Sequence, residues 1–168
     1  DNKARPAEVM YRITQGSDFG WPYCFYDYKQ KKLLLNPEYG GDGKTVGRCG
    51  KFGLPAAAFP AHWAPMSVLF YEGSQFPAKY RGGAFIAFHG SWNRSPNQRL
   101  GAVVFQPFSG DKTAGAFQVF ANGFAGKPSI TSEAQAAARP DGLAVANDGS
   151  LYITDSTKGK IWRVLYKH

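Results

Sequence analysis

Short apolar runs separated by turn-forming residues dominate the middle of the chain. Four of them follow one another, each four to six residues long: Met66–Tyr71, Ala84–Phe88, Ala102–Phe105 and Phe117–Phe120. Runs of this length bounded by turn residues are typical of β-strands, whereas helices need longer periodic segments. The 20 glycines and 11 prolines, placed mostly between such runs, indicate many turns. We therefore predict an all-β protein.

The C-terminal segment repeats this arrangement. An apolar strand at 142–146 leads through Asn147-Asp148-Gly149, a strong tight-turn signal, into a strand at 151–154 and a third at 160–166. Repeated four-stranded antiparallel units predict a β-propeller. Residues 1–63 would end one blade and carry a long loop, 64–121 would form a complete blade, and 122–168 a last blade of three strands.

Such units are too few to close a ring. The sequence therefore predicts a partial propeller of about two and a half four-stranded blades, the C-terminal part of a larger domain. An independent β-sandwich of about ten strands is the structural alternative.

Two cysteines, Cys24 and Cys49, lie in a polar stretch at 23–53 that we predict to be a long irregular loop. The loop would lie between strands at 8–13 and 56–59, and long loops in compact domains are usually functional or held in place. A disulfide would stabilise it by roughly 3.5 kcal/mol on the chain-entropy model and would suit an oxidising compartment. Two buried thiols are the alternative. A zinc site is not indicated, because no histidines cluster with these cysteines.

The net charge of +8 permits binding to nucleic acid, but the 20 basic residues are scattered and no nucleic-acid motif accompanies them. We interpret the charge as favouring solubility and expect no nucleic-acid partner, with a basic nucleic-acid-binding β-domain as a distant alternative. No stretch approaches the roughly 18 apolar residues of a membrane span. The polar opening Asp1-Asn2-Lys3 does not resemble a signal peptide, which a mature product would also lack.

Chemically active side chains are concentrated after the strand Ala84–Phe88, in His89-Gly90-Ser91-Trp92-Asn93-Arg94. An imidazole, an indole, an amide and a guanidinium at one strand end exceed what a hairpin needs. Because binding groups commonly lie on loops held by a rigid scaffold, we predict a ligand site here. The alternative is that Trp92 covers a core while His89 and Arg94 lie in solvent.

Together with three further motifs, this loop resembles the soluble glucose/sorbosone dehydrogenase family, in its L-sorbosone dehydrogenase-like branch. The motifs are Gly20-Trp21-Pro22-Tyr23-Cys24, FPAKYRGG at 76–83, and NDGSLY at 147–152. The resemblance covers essentially the whole chain. It implies a six-bladed propeller that uses pyrroloquinoline quinone and calcium to oxidise sugars, and we expect a periplasmic or secreted protein.

The resemblance also implies cofactor-binding residues, since the quinone's carboxylates need cationic partners and its flat rings a stacking surface. Arg139 matches a family arginine that binds the cofactor, whereas Asp141 stands where a second arginine is expected. The family lysine falls near Gly90, and His89 or Arg94 would replace it. The cofactor-binding candidates are His62, His89, Trp92, Arg94, Arg139 and Asp141.

Several of these candidates have an ordinary structural alternative. His62 would be a packed histidine, Arg139 a surface cation at a strand start, Trp92 a structural side chain, and Asp141 a turn or capping carboxylate. Glu8 aligns with a carboxylate that binds a second, structural calcium in some relatives, and its alternative is an exposed glutamate at a strand end.

The resemblance places the general-base histidine and the loop that binds the cofactor's calcium before Asp1, so no catalytic residue is assigned. We expect the C-terminal part of a quinoprotein sugar dehydrogenase, inactive alone. Its partners would be an aldose substrate, an external electron acceptor and the N-terminal part of the propeller. A non-catalytic propeller module that binds sugar or protein is the alternative, favoured by the missing lysine and by Asp141.

Overall fold

The structure is a computed structural model that describes residues 4–92, 97 and 99–167, and the chain divides into two compact units, Asp1–His62 (unit 1) and Trp63–His168 (unit 2). The strands are β1 Glu8–Met10, β2 Cys24–Asp27, β3 Lys32–Leu35, β4 Ala57–Phe59, β5 Pro65–Phe70, β6 Ala84–Phe88, β7 Ala102–Gln106, β8 Phe108–Ser109, β9 Lys112–Thr113, β10 Gln118–Ala121, β11 Pro140–Val145, β12 Leu151–Asp155 and β13 Ile161–Val164. Short 3-10 helices occupy Pro37–Tyr39, Gly47–Lys51, Ala78–Tyr80 and Glu133–Gln135.

The strand pairs of the described residues are all antiparallel. These residues contain no α-helix, which confirms the predicted all-β class. Within them, no helix is long and apolar enough to cross a membrane.

Unit 1 contains two small sheets, β1 paired with β4 and β2 paired with β3. The β2–β3 hairpin shows that the prediction of an irregular loop over 23–53 was wrong. Its turn forms because the Asp27 carboxylate accepts hydrogen bonds from the main-chain N–H groups of Lys29 and Gln30, both at 2.9 Å. The hairpin is anchored by Leu33 and Leu34, which are buried.

A disulfide joins Cys24 in β2 to Cys49 in the second 3-10 helix, with an S–S distance of 2.05 Å. The predicted bridge is therefore confirmed, and the alternative of two free thiols is wrong. Both cysteines belong to a small buried cluster with Leu33. The covalent link thus compensates for the small size of the apolar core in this unit.

Unit 2 contains a four-stranded sheet in the order β10-β7-β6-β5 and a three-stranded sheet in the order β11-β12-β13. The predicted strands are found in both. The turn at Asn147-Asp148-Gly149 joins β11 to β12, with Val145 opposite Leu151. The boundaries 64–121 and 122–168, as blades of a propeller, stay a prediction.

Strands of the two sheets share one apolar core, in which β11 packs against β5 and β6. All five residues of β6 are buried, and Phe85 lies among aromatic rings of both neighbouring strands and loops. The Tyr71 hydroxyl donates to the carbonyl oxygen of Gly149 at 2.7 Å and accepts from the N–H of Phe76 at 3.2 Å. This core fixes the sheets against each other, so the ends of β6 and β12 and the start of β11 lie at one edge.

Candidate functional site

The residues that follow β6 and β12 meet at this edge. The Nε2 atom of His89 lies 2.6 Å from Oγ of Ser156, although the two residues are 67 positions apart. His89 is partly buried, whereas Ser156 is exposed. An imidazole and a hydroxyl are thereby presented side by side at the surface.

Arg139, immediately before β11, binds the segment that carries His89. Its Nε donates to the carbonyl oxygen of His89 at 3.1 Å, and its Nη2 donates to those of Gly90 at 2.6 Å and Ser91 at 3.2 Å. Arg139 is only 9% exposed. The alternative of a surface cation is therefore wrong, because this guanidinium is buried and bonded to three consecutive carbonyl groups.

Asp155, the last residue of β12, organises the opposite side of the site. Its carboxylate accepts hydrogen bonds from the N–H groups of Arg139 at 2.7 Å, Thr157 at 2.9 Å and Lys158 at 2.7 Å. Burial acts to raise the pKa of Asp155, but these N–H donors outweigh it and lower the pKa to about 2. The ionised carboxylate thus folds the turn that presents Ser156.

Sequence reasoning missed Asp155 and Ser156. The available signal is the run Asp155-Ser156-Thr157-Lys158-Gly159 after an apolar strand. An aspartate followed by small polar residues and glycine is typical of a turn in which the carboxylate binds the following N–H groups. That pattern predicts the turn but not its contact with His89.

Gly90 explains why no lysine occupies this part of the loop. Its φ is +90°, and a Cβ atom there would lie 2.5 Å from the carbonyl oxygen of Arg99 and 2.8 Å from the N of Gly101. Any side chain would collide with main-chain atoms that cannot move aside. A positively charged side chain at this edge therefore has to come from another position in the chain. Arg139 provides such a side chain.

The surroundings of His89 favour the neutral imidazole over the imidazolium. Burial lowers the pKa of His89, and the charge of Arg139 lowers it further, against the opposing effects of Asp141 and Asp155. A neutral imidazole has one nitrogen that donates and one that accepts. The imidazole can therefore either donate a hydrogen bond to the Ser156 hydroxyl or accept one from it.

Trp92 follows the anchored segment and is 67% exposed, so the alternative in which it covers a core is wrong. Asp141 lies within β11 rather than in a turn and is partly buried. Its negative charge acts to raise the pKa of His89. Arg94, with Asn93, lies outside the described residues.

The other two candidates belong to unit 1. His62 is partly buried and has a φ of +63°, and Glu8 is partly buried in β1 opposite Phe59. Among the described residues, no group of three or more His, Cys, Asp or Glu side chains could hold a metal ion. The cofactor role of His62 and the calcium role of Glu8 stay predictions.

Unit 1 also has an open cavity of about 580 Å³ that sequence reasoning did not find. Most of its lining is apolar or aromatic, and it includes Tyr11, Phe19 and Trp21. The ion pair between Arg5 and Asp27, with Nε and Oδ2 2.6 Å apart, lies beside it. None of the five cofactor-binding candidates that the structure describes lines this cavity.

The described residues form an all-β protein with antiparallel sheets in two compact units. One strand-end edge of unit 2 carries an imidazole, a buried guanidinium and an exposed indole. Within that class the family is shown by the sequence. The chain belongs to the TrAA12-like family, whose model matches residues 3–167.

Comparison with known proteins gives two informative relatives. The chain is 33% identical over 162 residues to an uncharacterised protein of Borreliella burgdorferi, covering 96% of this chain and 39% of that protein. It is 25% identical over 185 residues to the pyrroloquinoline quinone-dependent pyranose dehydrogenase of Coprinopsis cinerea, covering 94% of this chain and 24% of that protein. The chain thus spans well under half the length of either relative.

Among solved structures, the chain is similar to the calcium structure of the Carbohydrate-Active Enzymes family AA12 protein of Trichoderma reesei. The TM-score is 0.74 at 19% sequence identity, covering 95% of this chain and 43% of that one. At this level of identity the likeness shows a shared fold.

Proposed function

We propose that this chain is part of a pyrroloquinoline quinone-dependent sugar dehydrogenase of the pyranose or sorbosone type, and that it supplies one side of the cofactor pocket. The observation that carries the proposal is the convergence of His89, Ser156 and Arg139 at one edge, with Trp92 on the same anchored loop. Membership of the TrAA12-like family and the similarity to the Coprinopsis cinerea enzyme support it.

The residues at this edge fit one side of such a cofactor. Trp92 offers an exposed flat surface for stacking, and His89 and Ser156 offer hydrogen-bonding groups. Arg139 contributes positive charge and holds the loop, because its Nε and Nη2 atoms are already bonded to carbonyl oxygens. When bound, the quinone would accept a hydride from the sugar.

A calcium site needs a different set of residues from the quinone site, because Ca²⁺ takes six to eight oxygen ligands. Glu8 is proposed only for a second, structural calcium, and the described residues contain no group of three or more His, Cys, Asp or Glu side chains that could hold a metal ion. From the family resemblance, we propose that the loop that binds the cofactor's calcium lies outside this chain, and we assign no step to the metal.

The proposal extends to the larger protein. The four-stranded and three-stranded sheets of unit 2 would be successive blades, 64–121 and 122–168, of a six-bladed propeller completed by the remaining protein. The intact enzyme would oxidise an aldose and pass electrons to an external acceptor. A periplasmic or secreted location is supported by the Cys24–Cys49 disulfide.

The test is a titration of the chain with pyrroloquinoline quinone, in which binding is monitored by tryptophan fluorescence and by the absorbance of the cofactor. We expect Trp92→Ala to weaken binding by about tenfold, in line with a stacking contribution of 1–3 kcal/mol per ring. The matched control is Trp21→Ala, which removes another exposed indole, 80% exposed and in unit 1, and should leave affinity unchanged. Equal effects of both substitutions, or no binding by the unsubstituted chain, would overturn the proposal.

A non-catalytic module that binds sugar or protein is the second candidate. It is favoured by Asp141, because a carboxylate beside His89 opposes the binding of an anionic cofactor. The same titration distinguishes this candidate from the dehydrogenase. A module of this kind would bind a sugar or a protein partner and would leave the absorbance of added quinone unchanged.

A further inference from the structure

We propose that His89 and Ser156 form a proton-accepting pair, so that binding of the multiply anionic, planar cofactor is accompanied by uptake of one solvent proton at the His89 imidazole. This inference rests on the proposed function, and it adds a pH-dependent control of that site.

The geometry makes the pair suited to this role. Nε2 of His89 and Oγ of Ser156 are 2.6 Å apart, and Ser156 is exposed. If Nε2 is unprotonated, the Ser156 hydroxyl donates a hydrogen bond to it and keeps its proton. Once the imidazole is protonated, Nε2–H donates to Oγ, and the serine hydroxyl can donate outward to a carboxylate. One added proton thus supplies both a positive charge and an additional outward donor.

Both members of the pair are held in place. The carbonyl oxygen of His89 accepts a hydrogen bond from Nε of Arg139 at 3.1 Å, and the N–H of His89 donates to the carbonyl oxygen of Ala64 at 2.9 Å. Ser156 follows Asp155, whose carboxylate binds the N–H groups of Thr157 and Lys158. The imidazole and the hydroxyl therefore stay adjacent whichever of them donates the hydrogen bond.

The charges around His89 set the direction of the effect. Arg139, at the start of β11, disfavours the imidazolium, whereas Asp141 in β11 and Asp155 at the end of β12 favour it. Of Arg139, Asp155 and His89, only His89 is of a residue type whose ordinary pKa lies between pH 5 and 8. Carboxylates of a bound ligand would add negative charge next to the imidazole and raise the pKa of His89, so binding and protonation favour each other.

The experiment measures His89 directly. Imidazole resonances of the full chain are followed by NMR from pH 5 to 8, without ligand and with saturating pyrroloquinoline quinone, and His89 is assigned by its loss in His89→Gln. We expect saturation to raise the pKa of His89 by about one unit or more. Calorimetry in buffers of different ionisation enthalpy should show proton uptake on binding. Between the pKa of His89 in the free chain and its pKa in the complex, the Kd for the quinone should rise by up to about tenfold for each unit of increasing pH.

Three variants separate this role from a structural one. His89→Gln keeps a hydrogen-bonding group but cannot take up a proton, so its affinity for the quinone should no longer depend on pH in this range. Ser156→Ala should weaken binding several-fold at pH 6. Thr157→Ala, which removes the neighbouring hydroxyl and keeps the N–H bond to Asp155, should behave as the unsubstituted chain.

The outcomes distinguish the two proposals. If the quinone binds with an affinity that does not change with pH, or if His89→Gln keeps the pH dependence, the proton-accepting pair is refuted and the cofactor site stands. If the quinone does not bind at any pH, the proposed function is refuted, and this inference with it.

Discussion

Arg139 is the residue whose replacement tests most directly how the loop after β6 is held. Arg139→Lys keeps the charge but loses the planar group that reaches three carbonyl oxygens. Because hydrogen bonds to charged groups contribute about 1.5–3 kcal/mol each and are not additive, we expect unit 2 to lose about 3 kcal/mol of unfolding free energy. Urea denaturation measures the loss.

Arg163→Lys is the matched control, since Arg163 pairs with Asp148 at an exposed position. Surface ion pairs contribute little, so this substitution should change the unfolding free energy only slightly. A loss for Arg139→Lys no larger than that of the control would contradict the role given to Arg139.

Asp155→Asn tests the carboxylate that folds the turn carrying Ser156. The pKa of Asp155 is lowered from 3.8 to about 2 in the folded chain. Its contribution to stability is therefore complete above the unfolded pKa and is lost as the pH falls through the folded one. We expect the variant to be less stable at pH 6, and the difference from the unsubstituted chain to shrink as the pH falls towards 2.

Urea unfolding at several pH values measures this difference. Asp42 and Asp148, whose pKa values are also lowered to about 2, are present in both proteins, so their effects cancel. A stability difference that does not change between pH 6 and 2 would show that the ionised carboxylate is not what stabilises the turn.

At the residue scale, the sequence identified two of the four residues that the structure brings together at this edge. His89 and Arg139 were identifiable because an imidazole and a guanidinium are unusual at strand ends and match a family pattern. Ser156 and Asp155 were not, because serine and aspartate are common in turns. Ser156 contacts His89 across 67 positions, because β6 packs against the second sheet. Asp155 matters because its carboxylate forms the turn that carries Ser156.

At the scale of secondary-structure elements, the stabilising effect of the disulfide can be tested in the β2–β3 hairpin. Closing a loop of 25 residues contributes about 3.5 kcal/mol on the chain-entropy model. We expect reduction, or the pair Cys24→Ser and Cys49→Ser, to lower amide hydrogen-exchange protection in β2 and β3. Unit 2 contains no cysteine, so protection of its β6 and β7 amides under the same reductant is the internal control.

If β2 and β3 keep their protection after complete reduction, checked by intact mass, the hairpin does not depend on the bridge. The buried Leu33 and Leu34 would then be sufficient to hold it.

Element boundaries followed from the sequence where strands are fully buried. The strand Ala84–Phe88 was predicted without error, and Ala102–Phe105 differs from β7 by one residue. The β2–β3 hairpin was missed because its turn, Tyr28-Lys29-Gln30-Lys31, is polar and lacks glycine. The Asp27 carboxylate replaces the usual turn residues by binding the following N–H groups, an arrangement that composition does not reveal.

For the whole molecule, the testable expectation concerns turnover. The chain spans 39% of the Borreliella burgdorferi protein and 24% of the Coprinopsis cinerea enzyme, and its described residues form one side of the proposed pocket. We expect no sustained oxidation of aldoses by the chain alone in the presence of quinone, calcium and an electron-accepting dye. A dye-reduction assay measures this, with a longer protein that contains the chain as the positive control.

Sustained turnover by the chain alone would refute the expectation that the catalytic base lies elsewhere. At this scale the sequence predicted the all-β class and a relationship to sugar dehydrogenases, because strand lengths and motifs are local properties. The chain is a TrAA12-like family member with similarity to a pyranose dehydrogenase, and the sorbosone-type branch stays a prediction. The arrangement of sheets around a common axis is not local, and it stays a prediction.

The chain is fixed on both sides of the segment 92–98. The carbonyl oxygens of residues 89–91 accept hydrogen bonds from Arg139, and the N–H of Ser91 donates to the carbonyl oxygen of Arg99 at 2.9 Å. None of these bonds uses a side chain from the segment 92–98. We therefore expect substitutions at those seven positions to leave the underlying sheets intact, so the segment can vary in sequence without cost to the fold.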